Sequence, residues 1–126
     1  MTKTVLLVSE LLQDLNRMKE WFPGGWRVKG VNSFSAVPSA LRSELPEIVV
    51  LRIRGLEDFF HTYEVLRTSM NSAETPLVAI SDIGLQSALA KNVELKNTRI
   101  VGSSVTDENM MKILAEVLTA AGVEWK

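Results

Sequence analysis

An alternation constrains this chain more than any other feature. Short stretches of strand character are separated by longer stretches whose apolar residues recur at helical spacing, at about 25 residues per unit. The clearest strand is Ile48-Val49-Val50-Leu51, an unbroken β-branched run bounded by Pro46 and stopped by Arg52. Such a run, with no polar alternation, reads as a strand buried on both faces, as in a parallel sheet under helices. Val5-Leu6-Leu7-Val8 and Pro76-Leu77-Val78-Ala79-Ile80 read the same way, and Arg99-Ile100-Val101 is a shorter fifth run. Trp26-Arg27-Val28-Lys29-Gly30-Val31 alternates apolar and polar, so it reads as a half-buried strand nearer an edge.

The intervening segments carry helix signatures. Leu11, Leu15, Met18 and Phe22 predict an amphipathic helix of about three turns, with Ser9 as its cap and Pro23-Gly24-Gly25 as its stop. Val37, Ala40 and Leu41 share the face of a second helix opened by Ser33 or Ser35, with Pro38 in its first turn. Phe59, Phe60, Tyr63 and Leu66 predict a third near residues 56–69, and Leu85, Ala88, Leu89 and Val93 a weakly apolar fourth. Thr106 is an N-cap for the last helix, with Asn109 where a complete capping box would have Glu or Gln, and Gly122 is its stop. Five β-α units with right-handed crossovers put helices on both faces of one parallel sheet. Residues 1–126 are read as a single domain.

Composition excludes several function classes. With no Cys, disulfides, thiolate metal sites and Cys nucleophiles are ruled out, and one His, His61, rules out a multi-His metal centre. A net charge of −1, with no Lys/Arg run, offers neither nucleic acid nor an anionic membrane a field. No segment reaches the roughly 20 apolar residues of a membrane span, and the N-terminus runs straight into strand pattern, so a cytoplasmic location is expected. His61 reads as a helix-surface residue, and Phe59, Phe60 and Tyr63 as core and rim, since no Gly-rich phosphate loop accompanies them. Trp21, Trp26 and Trp125 read as packing residues, with a partner interface as the alternative for Trp125.

Three segments carry a resemblance. Val5-Leu6-Leu7-Val8-Ser9-Glu10 is similar to the first strand of response-regulator receiver domains, which ends in an acidic pair. Ala40-Leu41 followed by Pro46-Glu47-Ile48-Val49-Val50-Leu51-Arg52 resembles that family's Ala-Leu … Pro-Asp-φ-φ-φ-φ-Asp, where φ is apolar. Thr75-Pro76-Leu77-Val78-Ala79-Ile80-Ser81 resembles its fourth strand with the terminal Ser/Thr. The resemblance covers essentially the whole chain. It implies a flavodoxin-like α/β receiver fold, a five-stranded parallel sheet of order 2-1-3-4-5 with five helices, and a role in two-component signal transduction.

The resemblance also locates departures. An active receiver holds Mg²⁺ with the acidic pair and the third-strand Asp, and that Asp accepts a phosphoryl group from a His kinase. Here Ser9 replaces one member of the pair and Glu10 keeps the other; Arg52 stands at the acceptor position and Gly102 near the family's Lys. Arg99 stands at the switch aromatic, and only Ser81 keeps its type. The expectation is a degenerate receiver, not phosphorylated and not an enzyme, with no metal or cofactor. It would act by contact with a signalling protein or output domain, or as a homodimer, through the fourth helix, fifth strand and fifth helix. Ser87, Lys91, Asn92 and Glu94 in residues 85–96 are the polar contacts foreseen there.

Two readings of Arg52 follow. In one, its guanidinium pairs with Glu10 and fills the vacated metal position, the bland counterpart being a side chain that reaches from a strand end to water. In the other, Arg52, Arg54, Ser81 and Ser103 form a rim that binds a small anion or nucleotide, the bland counterpart being Ser residues that cap and turn.

Overall fold

The computed structural model describes residues 2–82, 84, 87 and 95–126. Five parallel strands, β1 (Thr4–Val8), β2 (Arg27–Val31), β3 (Ile48–Arg52), β4 (Leu77–Ser81) and β5 (Thr98–Gly102), form one sheet in the order β2-β1-β3-β4-β5. The expected order and parallel sense both hold. The unbroken apolar runs became the three interior strands, buried throughout except at Arg52. The alternating run became the β2 edge and the short fifth run the β5 edge, both partly exposed. Arg27 and Lys29 on one edge and Arg99 on the other place charge where a bare edge would invite further pairing.

Alternation along each strand divides the core in two. Val5, Leu7, Ile48, Val50, Val78 and Ile80 face α1 (Leu12–Lys19) and the C-terminal helix α4 (Asp107–Ala120). Leu6, Val8, Val49, Leu51, Leu77 and Ala79 face α2 (Val37–Ser43) and α3 (Leu56–Thr68). Helices thus lie on both faces of the sheet, as the crossover rule requires. Gly84 and Ser87 are helical, but Leu85, Ala88, Leu89 and Val93 of the expected fourth helix, and the contacts Lys91, Asn92 and Glu94, lie outside the described residues.

The helix ends follow the local chemistry with two corrections. Helix α1 is shorter than the spacing predicted: it ends at Lys19, and Trp21 and Phe22 are buried beyond it. Its N-cap is Leu11, 40% exposed, rather than Ser9; the Ser9 hydroxyl instead accepts the Leu11 N–H at 3.3 Å, just ahead of the helix. Ser33 caps a single 3₁₀ turn, Phe34–Ala36, that leads into α2 with Pro38 in the first turn. Thr106 caps α4 by accepting the Asn109 N–H at 3.2 Å.

The chain leaves α4 through a Schellman motif. Val123 N–H reaches Leu118 O at 2.8 Å, Gly122 N–H reaches Thr119 O at 3.0 Å, and Gly122 sits at φ 80°, a conformation open to glycine. The last residues then fold back onto the amino ends of β1 and β2. Trp26 Nε1 donates to Trp125 O at 2.8 Å, Lys3 Nζ donates to Glu124 O at 2.6 Å, and the Trp125 ring lies 5.3 Å from Phe22 and 6.1 Å from Trp26. Trp125 is thus a packing residue, as its sequence context suggests.

Candidate functional site

The carboxyl ends of β1, β3, β4 and β5 bring Ser9, Arg52, Ser81 and Gly102 to one rim of the sheet, where open α/β sheets place ligand and catalytic groups. Register sets their spacing: Val8 lies beside Leu51, Arg52 beside Ile80 and Ser81 beside Gly102. The Ser103 N–H closes the rim by donating to Ser81 O at 2.7 Å.

Arg52 does not pair with Glu10. Its Nη1 donates to the carbonyl of Ile53 at 2.8 Å and to that of Ile80 at 3.4 Å, so the guanidinium folds back over the end of its own strand. Glu10 is exposed and makes no hydrogen bond or ion pair among the described residues. The geometry explains the difference. Glu10 sits on the turn between β1 and α1 and points to water, where one weak pair does not offset holding two long side chains in place. The Ile53 carbonyl lies just past the end of β3, within reach of Arg52, and Ile80 O, which already accepts the Ile53 N–H at 2.9 Å, has a second lone pair to offer.

The carboxylate that serves the rim is Asp14 on α1, a residue that no sequence motif singles out. Its Oδ2 accepts the Ser9 hydroxyl at 2.8 Å and Arg54 Nη2 at 2.7 Å. Ser9 is fully buried, and its single proton goes to Asp14 while its lone pair takes the Leu11 N–H. Burial of Asp14 works to raise its pKa. The hydrogen bonds from Arg54 and Ser9, with the charges of Arg54 and Arg52, outweigh burial and hold the carboxyl below its usual value. Arg52 is lowered from its usual value by burial and by the like charge of Arg54, with Asp14 and Asp82 acting in opposition; it remains a cation. The helical period carried the signal for Asp14. It lies four residues before Met18 and seven before Trp21, both buried, and so falls on the margin of the inward face of α1.

The proposed anion rim is only partly assembled. Arg54 is taken by Asp14 and Arg52 by two carbonyls. Arg52 and Ser103 line a cleft with Asp14, Arg17 and Trp21, but its volume is about 30 Å³, room for a water or two and not for a phosphate. Ser81 lies two residues beyond Ala79, so alternation turns it to the opposite face of the sheet from Arg52. Its hydroxyl is fully buried and has no hydrogen-bond partner among the described residues. Gly102 is half-buried and offers only backbone.

A second set of contacts flanks this cleft. Arg17 Nε donates to Asp107 Oδ1 at 2.8 Å and its Nη2 donates to Val105 O at 3.1 Å. Trp21 Nε1 donates to the same Asp107 oxygen at 2.8 Å, and the Arg17 guanidinium sits 5.5 Å from the Trp21 ring centre. These hydrogen bonds, with the Trp21 contact first, hold the Asp107 carboxyl below its usual value. Sequence spacing alone did not reveal this contact, because it joins residues far apart in the chain.

No protein-family model and no curated protein matches the sequence. Solved structures do match. The receiver domain of a sensor histidine kinase from Pseudomonas aeruginosa superposes with a TM-score of 0.77 at 15% identity, over 94% of this chain and 99% of that one. A chemotaxis response regulator of Vibrio cholerae gives 0.80 at 12% identity, over 93% and 99%. The signal receiver domain of a histidine kinase from Syntrophus aciditrophicus gives 0.79 at 11% identity, over 94% and 92%. The fold is that of receiver domains.

Proposed function

Starting from that fold, we propose that this chain is a receiver-like signalling domain that is not phosphorylated and that acts through contacts with other proteins. One observation carries the reading. At the end of β3, where receivers hold an acidic acceptor, Arg52 lays its guanidinium over the carbonyls of Ile53 and Ile80, and the nearby carboxylate of Asp14 is engaged by Ser9 and Arg54. Mg²⁺ binds through near-octahedral oxygens that usually include one or two carboxylates. A fixed cation on the strand end and a carboxylate already paired with arginine do not suit it. Among the described residues, no group of three or more His, Asp or Glu could hold a metal ion. The residues present do not fit the divalent cation of a working receiver, so no chemical step is assigned to the site.

The output is then a surface. Receiver-like contact through the β5 edge and α4 is the reading we favour. Arg99 on β5 faces Glu116 on α4 at 3.8 Å, a long and exposed pair that a partner could displace at little cost. The partner is a signalling protein, an output domain or a second copy, with neither nucleic acid nor membrane involved. The overall charge supports this, as does the lack, among the described residues, of any helix long and apolar enough to cross a membrane.

A Mg²⁺ titration monitored by urea unfolding tests the site. A ligand that binds the native state raises stability by mass action, and a hundredfold excess over Kd adds about 2.7 kcal/mol. The expected result is no stabilisation at millimolar Mg²⁺. A saturable rise that disappears in Glu10→Ala would overturn the reading.

A further inference from the structure

The cleft beside Arg52 is closed by side chains that have no part in holding Arg52 itself. Its floor is Ile80 and Met18, at the end of β4 and on the inner face of α1. Its outer wall is Arg17, Trp21 and Val105. Asp107, the first residue of α4, gathers Arg17 and Trp21 onto one carboxylate oxygen, and Arg17 also holds the Val105 carbonyl. In the segment between β5 and α4, Ser103 is fixed to Ser81 O of β4, whereas residues 104–106 are tied down through Arg17 on Val105 and through the Arg17 and Trp21 contacts with Asp107.

We propose that Arg17, Trp21 and Asp107 form a reversible latch that closes residues 104–106 over the half-buried Arg52, so that opening the latch, without unfolding the domain, widens the access of solvent and partners to the Arg52 guanidinium. The latch is strong in geometry and weak in energy. Arg17 uses two donors in a fork and stacks on an indole, which fixes one arrangement. Yet the Arg17 and Asp107 side chains are 48% and 58% exposed, so water and salt screen the contact and opening is thermally accessible. The groups beneath it are held by other partners: Arg52 by the carbonyls of Ile53 and Ile80 and Arg54 by Asp14, none of them in residues 104–106. The inference stands whether or not the domain accepts a phosphoryl group.

The test is chemical access to one arginine in the intact protein. A dicarbonyl reagent that modifies guanidinium groups is applied for short times, and peptide mass spectrometry reads the rate at Arg52 relative to Arg54. The wild type is compared with Arg17→Ala and with Arg17→Lys, which keeps the charge and loses the fork. Trp21→Phe, which removes the indole donor and trims the buried ring while keeping an aromatic side chain, is the third variant. Hydrogen exchange of β1 and β3 amides is read in parallel. The expected result is a rise of roughly fivefold in the Arg52-to-Arg54 ratio in both Arg17 variants, and a smaller rise in Trp21→Phe, with β1 and β3 protection unchanged. An unchanged ratio would overturn the latch. So would a rise accompanied by loss of β1 and β3 protection, since Arg52 would then be exposed by unfolding.

Discussion

Replacing Asp14 by Ala separates this account of the rim from the one the bare sequence suggests. The substitution removes the carboxylate that Arg54 and Ser9 share. The Arg54 contact is charge-assisted and short, but Arg54 is 37% exposed, so its loss costs about 1 kcal/mol rather than the larger value of a buried pair. The Ser9 hydroxyl is fully buried and would lose its acceptor, which adds about 1 to 2 kcal/mol. Arg52 and Arg54 would also face each other with their shared counter-charge gone, a further loss of a few tenths of a kcal/mol. The sum is about 2 to 3 kcal/mol. Glu10→Ala, which removes an exposed carboxylate without a partner among the described residues, should change stability by less than about 0.5 kcal/mol. Urea unfolding followed by tryptophan fluorescence reads both variants. With a slope of about 2 kcal/mol per molar urea, Asp14→Ala should lower the midpoint by about 1 to 1.5 M. A double-mutant cycle should give about 1 kcal/mol of coupling for Asp14 with Arg54 and none for Glu10 with Arg52. The reasoning is refuted if Glu10→Ala costs as much as Asp14→Ala, or if Asp14→Ala costs less than about 0.5 kcal/mol.

Further outcomes follow from the same structure. Because the folded-state pKa of Asp14 lies below its usual value, the unfolded chain binds this proton more readily; its contribution to stability is complete above about pH 5 and is lost as pH falls through the lowered folded value. The stability gap between wild type and Asp14→Asn should therefore be constant from neutral pH down to about pH 5 and shrink below it, as an unfolding series in acid buffers would show. Gly122→Ala should cost about 1 kcal/mol, since φ 80° is strained for any residue with a Cβ, whereas Gly24→Ala, at ordinary φ and with open space around it, should be near neutral.

Most of the fold was legible because its signals were local. Unbroken β-branched runs marked the interior strands, alternation marked the β2 edge, and Pro38, Thr106 and Gly122 marked helix ends, each for a backbone reason that needs no tertiary context. Helix α1 was the weaker case. The spacing carried it to Phe22, but the chain turned after Lys19, and Leu11, counted on its apolar face, became an exposed cap. There, burial of Trp21 and Phe22 against the sheet prevailed over continued helical period. The site was legible as a departure and not as an arrangement. Arg52 at a strand end stood out, but a long side chain chooses among acceptors by geometry, and the carbonyls of Ile53 and Ile80 were nearer than any carboxylate sequence spacing could suggest. Arg17, Trp21 and Asp107 meet only because α1 and α4 pack on the same face, which no spacing encodes.

The proposal that the strand-end site is deaf to phosphoryl transfer is tested most directly by incubating the intact protein with a small-molecule phosphodonor and Mg²⁺ and reading its mass. The account predicts the unmodified mass at every time point, because Arg52 offers no acyl-phosphate oxygen and Asp14 is held by Arg54 and Ser9. A stable adduct of one phosphoryl group, mapped to Glu10, Asp14 or Asp82, would contradict it.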